Sequence, residues 1–193
     1  MDNINNPDKM FNFLTEVENF KSALEMKEIL ENIENRLRKE FWEEVTNKLS
    51  EKINEYNKNK DETSKLNFES AKSNPEIRWF KISKNDWQFL EIDTDGEDVG
   101  IKRKSNAEGI ESRRNVIEEI LKQHELKYQN STWICWKKFN NYRFQVKDEK
   151  IKLLPIMRED TIKECADILF IFVKKLILVC ENTNEKLSEP VNV

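Results

Sequence analysis

The run Glu91-Ile92-Asp93-Thr94-Asp95-Gly96-Glu97-Asp98 is the densest set of side chains that could do chemistry. Glu91, Asp93, Asp95 and Asp98 offer hard oxygen ligands of the kind that hold Mg²⁺ or Ca²⁺. Against that reading, the run lacks the twelve-residue calcium-loop pattern, and Asp95-Gly96 is a hairpin signal at which acids solvate a turn. A solvated hairpin is therefore expected, with no metal ligand and no cofactor assigned. The single histidine, His124, sits near the end of a predicted helix, where an imidazole meets the negative end of the dipole. As a general base it would need a nucleophile and an orienting partner, and the sequence names neither. The sequence also contains no Gly-rich phosphate loop, no HExxH and no GxSxG, so no catalytic residue is assigned.

The second candidate is residues 132–144, TWICWKKFNNYRF, in which aromatic and basic residues interleave. Such a mixture can stack and hold the bases of a single strand. In a regular strand Trp133, Cys135, Lys137 and Phe139 point one way, and Ile134, Trp136 and Lys138 the other. The two tryptophans then lie on opposite faces, one of them in the core, and make no common platform. What is left is an edge: Trp136 or Tyr142 beside Lys137, Lys138 and Arg143. If this strand neighbours the one ending Lys102-Arg103-Lys104, six cations fall on one side of the sheet. These eight residues are the candidate surface for nucleic acid or a protein partner.

The charge map agrees in part. The chain of 193 residues has a formal net charge of −4, which does not indicate a generic polyanion binder. Between Val99 and Lys152, however, there are 13 Lys/Arg against 7 Asp/Glu, while the rest carries 20 against 30. That asymmetry reads either as an anion-binding face or as complementarity between two halves of one molecule. Cys135, Cys165 and Cys180 are odd in number and form no CxxC, which fits reduced thiols in a cytoplasmic protein rather than a disulfide framework or zinc site. The N-terminal MDNINNPDK has no apolar signal core, and ILFIFVKKLILV (168–179) is too short and too lysine-interrupted to span a bilayer, so no membrane association is expected.

These residues must be positioned by a fold of the α+β class. Only three glycines and four prolines argue for long helices. Asn6-Pro7-Asp8 is a helix start, and apolar steps of three and four through Leu30, Ile33, Leu37, Phe41, Val45, Leu49 and Ile53 predict helices over about 7–20 and 23–57. This arm (1–57) is followed by a polar linker (58–76), an α+β domain (77–182) and a disordered tail (183–193). Within the domain, IRWFKI, DWQFLEID and VGIKRK form an antiparallel meander, then a helix runs to Gln123, then TWICWKKF and YRFQVK pair around Asn140-Asn141. The sheet has about five strands. A last helix from Asp160 to Glu181 is apolar nearly all round and must be covered on several sides.

FWEEVTNKL on a long helix, then WFKI/WQFLEID/VGIKRK, a helix, a WxxW strand and a final helix, resembles the C-terminal region of bacterial proteins assigned to the PD-(D/E)XK nuclease superfamily, over about residues 20–182. The resemblance implies a non-catalytic tail. That superfamily's site needs an acid on one strand and Glu-x-Lys on the next, so that carboxylates hold Mg²⁺ and lysine steadies the nucleophile. Here Asp93 is followed too soon by Glu97, Lys102 lies five residues beyond, and Glu149-Lys150-Ile151-Lys152 has no upstream acid strand. The implied role is an accessory module, acting as partner subunit or inhibitor in a bacterial defence or counter-defence system, that contacts a protein partner or nucleic acid. Two alternatives stand beside it: a degenerate metal nuclease using Glu91, Asp93 and Lys102 with Mg²⁺, and a structural homodimerisation domain built on the last helix.

Overall fold

A computed structural model of the chain describes residues 10–11, 16–70, 80–95, 98–138 and 147–189. The long-range apolar pattern produces one continuous helix, α1, over Val17–Asn57, rather than two. No glycine or proline occurs within it to break the i→i−4 ladder between the two apolar segments. The proposed start at Asn6-Pro7-Asp8 lies outside the described residues. The chain divides into two compact units, Met1–Glu40 and Phe41–Val193. The division falls within the helix and not at residue 57, because Phe41, Trp42, Val45, Leu49 and Ile53 are buried side chains of the second unit.

The second unit is an α+β domain. Its sheet has five strands in sequence order, all antiparallel: β1 (Leu66–Ser70), β2 (Phe80–Lys84), β3 (Leu90–Asp95), β4 (Asp98–Arg103) and β5 (Trp133–Lys138). Strand β1 lies inside the expected linker. Its apolar signal is only Leu66 and Phe68, two side chains on one face of a polar run, and these pack against the sheet's core. The Asn57 side chain anchors it, accepting from the Leu66 amide at 3.0 Å and donating to the Leu66 carbonyl at 2.9 Å. The second strand of the expected terminal hairpin, YRFQVK, lies outside the described residues.

Between β4 and β5 runs helix α2 (Arg114–Gln123), which turns Ile117, Ile120 and Leu121 into the core and leaves Val116 exposed. After a short helical turn at 147–153 the final helix, α3, covers Arg158–Ser188 and packs on β3, β4 and α2. Its other flank meets the second half of α1: Lys52 pairs with Asp167 at 2.5 Å, and Arg158 with Glu44. Thirteen of its side chains are buried, and only a stripe through Ile168, Ile171 and Leu178 reaches solvent. The helix continues through the expected tail as far as Ser188. Polar residues there do structural work: the buried Asn184 accepts from the Phe89 and Leu90 amides at 2.8 and 3.3 Å, closing the end of β3.

Candidate polar-aromatic face of the sheet

Directly opposed residues of antiparallel strands share a face, so the register sorts every candidate side chain. One row reads Phe68, Ile82, Ile92, Ile101, Cys135 across the five strands, and it is the face under α3. The adjacent row reads Glu69, Lys81, Asp93, Gly100, Trp136, on the opposite face. A third row, Glu91, Lys102, Trp133, also belongs to the polar face.

Trp133 and Trp136 therefore share a face, contrary to the alternation expected of a regular strand. The register shifts between Ile101 and Lys102, whose partners are Cys135 and Trp133, so Ile134 is an extra residue in β5: a β-bulge. Its carbonyl accepts from the Gln129 amide at 2.9 Å. The preceding turn fixes the shift. Asn130 Oδ1 accepts from the Thr132 and Trp133 amides at 2.9 and 2.8 Å, and the Arg103 amide donates to the Thr132 carbonyl at 2.9 Å. Gly100 makes room, because a Cβ there would overlap the Cys135 carbonyl oxygen and lie 2.7 Å from Trp136 Cα and Cβ. An isolated glycine in a strand pattern was the sequence signal for this irregularity.

Cations lie over both rings. Lys102 Nζ is 5.3 Å from the Trp133 ring centroid, and Lys138 Nζ is 5.4 Å from that of Trp136. Trp136 is 36% exposed, whereas Trp133 is half-buried. Beneath them lies a charge network. Lys102 pairs with Asp93 at 3.1 Å and Lys81 with Glu91 at 2.9 Å, and Asp93 Oδ1 also accepts from the Thr94 amide at 2.9 Å. Asp93 is fully buried, so it is no solvated hairpin acid: it lies mid-strand, two residues before the turn, enclosed by its own ion pair.

The eight candidate surface residues are not brought together as one basic patch. Lys102, Trp136 and Lys138 share the polar face. Arg103 and Lys137 fall on the other, Lys137 lying 5.6 Å from the Phe172 ring of α3. Lys104 is turned back to donate to the Trp87 carbonyl. Tyr142, Arg143 and the Asn140-Asn141 turn lie outside the described residues, as do Gly96 and Glu97 of the acidic run. Sequence reasoning missed Trp133 and Lys81 as members of the face.

Among the described residues no group of three or more His, Cys, Asp or Glu is arranged to hold a metal ion, and no helix is long and apolar enough to cross a membrane. All three cysteines are buried free thiols; burial raises Cys135 to about 11 and Cys165 and Cys180 further. His124 caps the end of α2. Comparison with protein-family models, with curated proteins and with solved structures finds no match to this chain.

Proposed function

We propose that this chain is a non-catalytic binding module that holds single-stranded nucleic acid on the polar face of its sheet. The observation that carries the reading is the bulge at Ile134, which gathers Trp133 and Trp136 onto one face with Lys102 and Lys138. Two indoles on one face offer bases successive stacking surfaces, Lys138 beside Trp136 meets the phosphates, and Lys102, paired with Asp93, holds Trp133 in place. The element order long helix, meander, helix, WxxW strand and final helix supports a kinship with the tail of a PD-(D/E)XK-type nuclease. With that kinship comes the setting, a partner subunit or inhibitor in bacterial defence or counter-defence.

The catalytic alternative has one point in its favour, since Glu91, Asp93 and Lys102 do share a face. Their arrangement speaks for structure: each carboxylate is engaged by a lysine, and Asp93 has no exposed surface to offer a substrate.

Fluorescence anisotropy with labelled single- and double-stranded DNA and RNA, over a salt series, tests the proposal. Single strands should bind best, with a shallow salt slope of about 0.7 per phosphate neutralised. Trp136→Ala should lose about 1–3 kcal/mol for the stacked base. Lys138→Glu should weaken binding, while Lys137→Glu, on the opposite face, should not. If the wild type binds no oligonucleotide at low salt, the proposal fails. Loss of a native protein partner from the Trp136→Ala variant in a pull-down would then assign the same face to protein recognition, for which exposed tryptophan is equally suited.

A further inference from the structure

The first half of α1 carries apolar side chains in a coiled-coil register. Ala23, Met26, Leu30, Ile33 and Leu37 alternate at steps of three and four, the a and d positions of a heptad. Burial does not account for the three central ones: Met26, Leu30 and Ile33 are 64, 59 and 50% exposed, Ala23 and Leu37 are half-buried, and Ile29, at the flanking g position, is 58% exposed. By contrast, the apolar positions from Phe41 onward are buried.

We infer that this segment pairs with the same segment of a second copy of the chain, antiparallel, with Leu30 of each copy packed against Ile33 of the other. Charge complementarity selects both the occupant and the register. In an antiparallel pair an a residue faces a d residue, and the two e positions face each other. The e positions here are Lys27 and Glu34. With Leu30 opposite Ile33, Met26 falls opposite Leu37, and Lys27 of each copy falls opposite Glu34 of the other, so two opposite-charge pairs flank four apolar layers. A slip of one heptad in one direction sets Lys27 against Lys27. A slip in the other direction sets Glu34 against Glu34. The second slip also leaves only two apolar layers, and the first keeps four but puts Ala23 in two of them in place of Leu37. In a parallel pair Lys27 would meet Ser22 and Glu34 would meet Ile29, so no opposite charges would be brought together. Within each helix Lys27 contacts Glu31 at 3.6 Å, an exposed pair that holds it only weakly, while Glu34 contacts Arg38 at 2.7 Å in a part-buried pair, so the contact with Lys27 of the second copy is made in addition to that pair.

This inference does not rest on the nucleic-acid reading. It is tested on the full chain by sedimentation equilibrium across a concentration series, with circular dichroism to confirm that each variant keeps its helix. The wild type should dimerise. Ile33→Glu should weaken the dimer at least about tenfold, through a charge placed in two layers at once. Lys27→Glu alone and Glu34→Lys alone should each weaken it, and the double exchange Lys27→Glu/Glu34→Lys should restore it. Equal weakening by both single changes without rescue in the double variant overturns the register. A wild type that stays monomeric throughout overturns the pairing. In that case a lowered Tm of Ile33→Glu would assign the seam to a segment of the same chain, and an unchanged Tm would assign it to a different protein.

Discussion

The two faces of the sheet are made by the same strands and hold together by different means. On one, Ile82, Ile92, Ile101 and Cys135 form a row with at most 1% exposure beneath α3. Its stability comes from apolar surface removed from water, which is non-directional and tolerates hydrophobic exchange. On the other, the neighbouring row is Lys81, Asp93, Gly100 and Trp136. There every side chain beside Gly100 is charged or aromatic, each needing a specific partner, and an apolar pair in place of a buried ion pair is often as stable or more so. On this face the buried ion pairs position the strands, and the solvent-reaching Trp136 is the side chain that folding leaves uncovered.

The largest expected effect lies on the apolar face. Ile92→Ala should cost about 2–5 kcal/mol in urea denaturation, the range for emptying a filled core site. Oligonucleotide affinity of the protein that remains folded should be unchanged. An unaltered midpoint would mean that α3 does not cover this row.

Next comes Asp93→Ala on the polar face, at about 1–3 kcal/mol, from leaving Lys102 without its buried acceptor. Lys102 retains 28% side-chain exposure and can turn to water, so the loss falls short of that for a fully enclosed pair. Adding Lys102→Met to Asp93→Ala should recover much of it. A neutral single change would show the carboxylate to be solvated after all.

Gly100→Ala tests what lets the two rows coexist with the bulge. Its Cβ would run into the Cys135 carbonyl oxygen, the nearest atom, and press on Trp136 Cα and Cβ at 2.7 Å, backbone or backbone-proximal atoms that cannot swing aside. Overpacking of this kind costs about 1–3 kcal/mol, and the change should also weaken oligonucleotide binding by moving Trp136. Retained stability together with retained affinity would show that the tight approach of β4 and β5 is not required.

The contrast between the faces was only partly legible in the sequence. Period-two runs located β2, β3 and β4, and the order of their connections gave the antiparallel α+β class. Two features were hidden for physical reasons. Alternation in TWICWKKF looks the same with or without an extra residue, since the shift is set upstream, by the Asn130 side chain accepting from the Thr132 and Trp133 amides and by the Gln129 amide donating to the Ile134 carbonyl, and across the ladder by Gly100. The burial of Asp93 was hidden because its partner lies nine residues away on β4, and a carboxylate's cover depends on cross-strand neighbours rather than on its own segment. The end of α3 shows the same effect, where Asn184 reads as tail polarity but caps β3.

The smallest effect separates the faces by pH. Cys135 lies in the apolar row, where desolvation by burial, with only weak opposition from a backbone hydrogen bond to Ile101 and from Lys175, raises its thiol from 9.0 to about 11. A raised thiol pKa means that the folded state stays neutral while the unfolded chain already ionises. The contribution is thus fully present below pH 9 and is lost as the pH climbs from 9 towards 11. At pH 10 the share from Cys135 amounts to about 1 kcal/mol, one decade past the unfolded value. Wild type and Cys135→Ala carry the same lysines, tyrosines and remaining thiols, so the difference between their stability–pH curves reports Cys135 together with its coupling to Cys180. The wild-type curve should fall more steeply between pH 9 and 11, and the two should run parallel below pH 8. Parallel curves throughout would place Cys135 in contact with water, and the row beneath α3 would then be open at β5.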